Sequence, residues 1–261
     1  MMPEIGVALA AFFLAVAAIA GGLTTARVSG RWHLVVVGAR TVAAMVVAAA
    51  LIYAATAQGE WTPLDPHQML LGLLLAMLAI HLVLPWHLRI GDTGPAVDVV
   101  ALVLLLGGAF VLRPETILLS CFQRALAYHI QWGLFLLGGG SVLVAGNAGL
   151  MAALHRISRN RGWDVQLPDR ADLYDLLTQA LFLALVALGG GLTISVWWAW
   201  RTVGTLATGD LHFVWLVIAW LVAGMSLLAW QLEARRERWV AGLATLAAAV
   251  VLIGLLATAV S

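Results

Sequence analysis

Charge is what this sequence has least of: Asp, Glu, Lys and Arg together make up 10% of its 261 residues, against 63% hydrophobic residues. A chain so poor in charge cannot clothe a water-facing surface, which excludes a soluble globular domain and leaves a polytopic membrane protein. Cysteine is as scarce. The single Cys121 excludes an internal disulfide and any CxxC redox pair, and it reads as a small apolar filler. Lysine is missing altogether: the 14 basic residues are all arginine, dispersed among short loops, and the formal net charge of +1 offers no field for nucleic acid. No EF-hand, Walker-type phosphate loop, HExxH or dinucleotide fingerprint occurs, and the glycine triplets lie inside apolar runs rather than after a strand. Those enzyme classes drop out.

What is present is a series of apolar runs. Eight are long enough to span, judged against the ~20 residues a bilayer core requires: Ile5–Leu23, Leu34–Ala57, Met69–Trp86, Ala96–Leu112, Arg124–Leu154, Leu173–Trp200, Leu211–Leu232 and Val240–Ala259. Strict alternation is absent, so each run satisfies its backbone as a helix and not as a barrel strand. The expected fold is all-α, a single transmembrane domain over 1–261 built as a bundle of eight helices. The first run has no convincing processing site and reads as a retained helix.

Arginine sets the orientation. Ten arginines (Arg27, Arg31, Arg89, Arg156, Arg159, Arg161, Arg170, Arg235, Arg236 and Arg238) fall in or beside the loops after spans one, three, five and seven, against Arg113, Arg124 and Arg201 on the other side. The positive-inside rule makes the first set cytoplasmic and places both termini outside, as in a bacterial cytoplasmic membrane. Spans five and six are the longest, so they are expected to tilt or project. Their triplets Gly138–Gly140 and Gly189–Gly191 offer small faces for close packing, which makes these two helices the expected central pair. A leucine at the middle of either triplet is expected to overpack.

Ionisable groups inside a bilayer are functional hypotheses by default. His81 lies in the inner half of span three, His129 at the outer end of span five, and His212 beside Asp210 in the polar break between spans six and seven. Each imidazole is either satisfied by a carbonyl or hydroxyl, or available to a metal such as haem iron. Asp65 before Pro66 suits a helix start, with His67 in the first turn, and Asp98 reads as a partly solvated cap at the start of span four. Around the break stand Trp197, Trp198, Trp200, Trp215, Trp220 and Trp230, which are either interfacial anchors or an aromatic wall for a ligand.

Eight spans with a tryptophan-rich outer loop between the sixth and seventh resemble the CcsA/ResC-type cytochrome c assembly proteins, the WWD-domain haem handlers. That family's run GxIWAxxAWGxYWxWDPKExWxLxxW can be laid without gaps on Ser195–Trp220, where Trp198, Ala199, Gly204, Asp210, Trp215 and Trp220 match. The segment GEWTPLDPHQM is similar to the family's outer segment, so the likeness covers about 60–261. LAIHLVLP sets His81 at the family's first membrane histidine, and LAYHI sets His129 at its first outer histidine. Val203, Ala207 and Gly209 stand where the family has three central tryptophans, which brings the chain closer to the shorter HemX-like branch. About Leu228 stands at the second membrane histidine.

The resemblance implies b-type haem as cofactor, with His129 and His81 as axial ligands to its iron. His212 would be a substitute partner for His129, and Trp198, Trp215 and Asp210 the remains of the aromatic loop. It implies a companion cytochrome c assembly subunit and an apocytochrome c as partners, besides the bilayer, and no classical catalytic residue. Loss of the loop tryptophans implies the alternative of a non-catalytic membrane subunit with an assembly or structural role.

Overall fold

A backbone without water must close its hydrogen bonds within each segment, and all eight apolar runs are helical. The structure, a computed structural model, describes residues 2–25, 31–58, 66–88, 94–111, 126–161, 168–204, 211–232 and 237–260. Among these residues are α1 (Met2–Thr25), α2 (Arg31–Gln58), α3 (Pro66–Leu88), α4 (Gly94–Val111), α5 (Leu126–Arg161), α6 (Arg170–Val203), α7 (Leu211–Leu232) and α8 (Glu237–Val260), and no strand. Six of them, α2, α3, α5, α6, α7 and α8, are long and apolar enough to cross a membrane; the apolar stretches described in α1 and α4, Leu9–Gly21 and Val97–Leu106, are shorter.

Local chemistry fixes several ends. Proline opens α3, where its missing N–H costs nothing. Helix α6 carries Asp172 in its first turn and Arg201 in its last, each favourable to the helix dipole, and it stops at Gly204, whose φ of 70° is the left-handed conformation that glycine adopts most readily.

The helices pack as two four-membered rings. In the first, α1 lies against α2 and α4, and α3 lies against the same two, so α2 and α4 face each other across a diagonal. In the second, α5 and α7 each pack against α6 and α8. Helices α3 and α5 make most of the contact between the rings. The expected central pair is therefore only half right. Helix α5 is the most buried span and its contact with α6 is the most extensive in the molecule, but α6 lies toward the outside and α3 is the second most buried span.

The glycines explain why α5 can serve three neighbours at once. A methyl group on Gly140 would stand 2.8 Å from the backbone nitrogen of Met77 in α3, and one on Gly149 would stand 2.6 Å from the carbonyl oxygen of Ala241 in α8. One on Gly191 of α6 would meet the Phe135 ring of α5 at 2.5 Å. The middle of the first triplet is tight as expected, a methyl on Gly139 standing 2.9 Å from Leu73 Cδ1, but the middle of the second is not, since Gly190 meets only the end of the Leu134 side chain, at 3.3 Å. Interhelical hydrogen bonds complete the second ring: Trp220 Nε1 donates to the Leu185 carbonyl at 3.1 Å, Ser226 Oγ to the Val240 carbonyl at 2.9 Å, and Thr245 Oγ1 to the Gly146 carbonyl at 3.3 Å.

Candidate functional site

The aromatic content of the second ring gathers at the end where α5 and α7 begin. Tyr128, Trp132 and Phe135 recur at helical spacing and form a buried ladder of edge-on rings, with centroids 6.2 Å apart for Tyr128 and Trp132 and 5.7 Å for Trp132 and Phe135. His129 stands beside the top rung, its ring 5.9 Å from that of Tyr128, and it is only half-buried. Below the ladder is an apolar cavity of about 60 Å³ at the junction of the two rings. Met69 and Leu73 of α3, Trp132, Phe135 and Gly139 of α5, Trp215 of α7 and Gly254 of α8 all line it. Trp215 lies over Gly254, where a methyl group would approach its Cβ to 2.8 Å.

Of the residues the sequence proposed for a ligand, several reach this end. Trp198 lies near the close of α6, half-buried, with its ring 5.7 Å from that of Trp197; the Arg201 guanidinium lies 5.3 Å over Trp197. His212 falls in the first turn of α7, at the same end as His129, and only its backbone is described. Asp210 lies outside the described residues. The structure brings together the elements bearing His129, Trp198, His212 and Trp215.

His81 is elsewhere. Helices α3 and α5 run parallel, in a register pinned by Gly72 against Leu136, Leu73 against Gly139, and Met77 against Gly140. Counting from these pins at 1.5 Å per residue puts His81 and His129 roughly 20–25 Å apart along the axes. They cannot ligate one metal. His81 is 3% exposed and sits one turn beyond Met77 and Leu78, which are fully buried. No group of three or more His, Cys, Asp or Glu that could hold a metal occurs among the described residues.

The other end of the first ring holds the charged feature the sequence reading missed. Arg40 of α2 donates through Nε to Asp98 Oδ1 at 2.7 Å and through Nη2 to Oδ2 at 2.8 Å, a two-pronged pair spanning the diagonal between α2 and α4. Arg40 is 4% exposed and Asp98 0%. The expectation of a partly solvated cap at Asp98 is therefore overturned, because its carboxylate is committed to the guanidinium. Asp98 lies four residues inside α4 and His81 seven residues before the end of α3, which puts them at similar depths. On α5, Asn147 is also buried at that level, and its Oδ1 has no hydrogen-bond partner among the described residues. Intramembrane charge at Arg40 was the available signal.

Two sites can be tested for haem. At the end bearing His129, a half-buried imidazole above an aromatic ladder suits an axial ligand, but 60 Å³ is far below the ~300–1,000 Å³ of an ordinary ligand pocket, so a porphyrin does not fit inside the cavity. His81, 3% exposed, is enclosed by its neighbours. No protein-family model matches the chain, and no curated protein matches it by sequence.

Proposed function

We propose that this is an eight-span protein of the bacterial cytoplasmic membrane, with both termini outside, that handles haem during cytochrome c maturation at the face where α5 and α7 begin. One observation carries the reading: a half-buried His129 heads a buried aromatic ladder, at the end where α6, bearing Trp198, closes and α7, bearing His212, opens. In this role His129 supplies an imidazole nitrogen as axial ligand, and the neutral form must be present to do so. Trp198 and Trp215 offer flat walls, and the exposed Arg201 offers a guanidinium for carboxylates such as propionates. His212 is the second imidazole that this topology supplies on the same side. Bound haem brings the vinyl chemistry and the redox couple; the chain's part is to ligate, orient and exclude water. The implied partners are a companion assembly subunit and an apocytochrome c.

A specific observation favours a second reading. The cavity is small, and Val203, Ala207 and Gly209 replace three tryptophans of the resembling family, which suits a non-catalytic subunit that retains the bundle for assembly. A reduced-minus-oxidised spectrum of protein purified from haem-replete cells separates the two. Haem handling predicts a b-type spectrum that His129→Ala abolishes or turns five-coordinate, and that His81→Ala leaves unchanged. Colourless protein that takes up no added haemin leaves the assembly reading standing.

A further inference from the structure

The end of the second ring away from the aromatic ladder brings two like charges together. Helices α5 and α6 run antiparallel, and a methyl group on Gly138 would stand 3.0 Å from the backbone nitrogen of Leu188. Eighteen residues from that contact, about five whole turns along each helix, α5 reaches Arg156 and α6 reaches Arg170. Whole turns keep a side chain on the same face, so the two arginines, both exposed, stand opposite each other across the most extensive helix contact in the molecule. Tyr174 is next to both. The Arg170 guanidinium lies 5.8 Å over its ring, the Arg156 charge also acts on it, and the buried ring stacks on Trp230 of α7 at 5.5 Å and 13°.

Two facing guanidinium groups repel unless a counter-charge joins them. The carboxylates closest in sequence, Asp169, Asp172 and Asp175, make no ion pair with Arg156 among the described residues. Guanidinium forks match phosphate oxygens on two prongs. The apolar spans of α5 and α6 end and begin here, at Ser158 and Arg170, and Leu154 and Ile157, on either side of Arg156 in sequence, are 45% and 43% exposed. A molecule that satisfies this surface is anionic at one end and apolar at the other.

We infer that Arg156 and Arg170 form a binding site for the phosphate of an anionic phospholipid, set on a floor made by Tyr174 and Trp230. With three carboxylates on the first turns of α6, the single charge of a phosphodiester suits the site better than the double charge of free phosphate. The site owes nothing to haem binding.

The test uses the full-length protein, delipidated in detergent and titrated with dioleoylphosphatidylglycerol or with dioleoylphosphatidylcholine, which has the same chains and phosphate but carries a cation beside it. Native mass spectrometry counts the bound lipid. Wild type is expected to prefer phosphatidylglycerol by about 5- to 30-fold, the factor that one or two arginines contribute at an anionic surface. Arg156 is exposed, so Arg156→Gln leaves the packing intact; it is expected to lower the preference about fivefold, and Arg156→Lys, which keeps the charge, to lower it less. Arg156→Gln combined with Arg170→Gln is expected to abolish it. Equal binding of the two lipids by wild type, a preference that Arg156→Gln leaves unchanged, or displacement of phosphatidylglycerol by excess inorganic phosphate overturns the assignment.

Discussion

Arg40 and Asp98 show how much one residue can matter in so apolar a chain. Taking either charge out of water costs several kcal/mol, and the pair is tolerable only because the guanidinium and carboxylate meet on two prongs. Removing one partner leaves the other buried and uncompensated. Asp98→Ala is therefore expected to destabilise the protein by about 3–5 kcal/mol, whereas Arg40→Met combined with Asp98→Leu is expected to be close to neutral. Thermal unfolding in detergent compares them, and a single variant as stable as wild type would show the pair to be ornamental. The sequence could not disclose this pairing. Arg40 stands alone in a run of small apolar residues and its partner is 58 positions away, so the diagonal that joins them exists only once α1 and α3 have set α2 and α4 face to face.

At the scale of the element, the helices were legible and their neighbours were not. Runs of apolar residues bounded by arginine, proline and glycine announce a span and its ends through local chemistry, and the observed helices follow the expected runs closely. Which face of α5 meets which partner depends on single atoms. Gly140→Ala places a methyl against the backbone of α3, which cannot give way as a side chain can, and is expected to cost about 1–3 kcal/mol. Gly190→Ala meets only a mobile leucine end and gains helix propensity, so it is expected to be neutral or mildly stabilising. Paired unfolding midpoints check the contrast, and equal losses at both positions would refute the assigned faces. The candidate site divides in the same way. His129 and the ladder of Tyr128, Trp132 and Phe135 follow from spacing along α5, but the cavity under the ladder depends on the register of α3 on α5, which no spacing reveals.

For the whole molecule, the arginine asymmetry gives an orientation that can be measured. After Cys121→Ser, single cysteines at the exposed positions Arg170 and Arg201, which lie near the two ends of α6, are expected to react with impermeant thiol reagents from opposite sides, Arg170→Cys only once the cytoplasmic side is opened. Labelling of both from one side would refute the proposed topology. The two closed rings carry a consequence of a different kind. Each ring completes most of its own burial, and the rings meet mainly through α3 and α5, so this packed interface is expected to hold them together without covalent continuity between Val111 and Leu126. A gene divided within that interval should yield two polypeptides of four helices each that co-purify as a stable complex. Divisibility of this sort would let the halves be made, exchanged and recombined as separate parts.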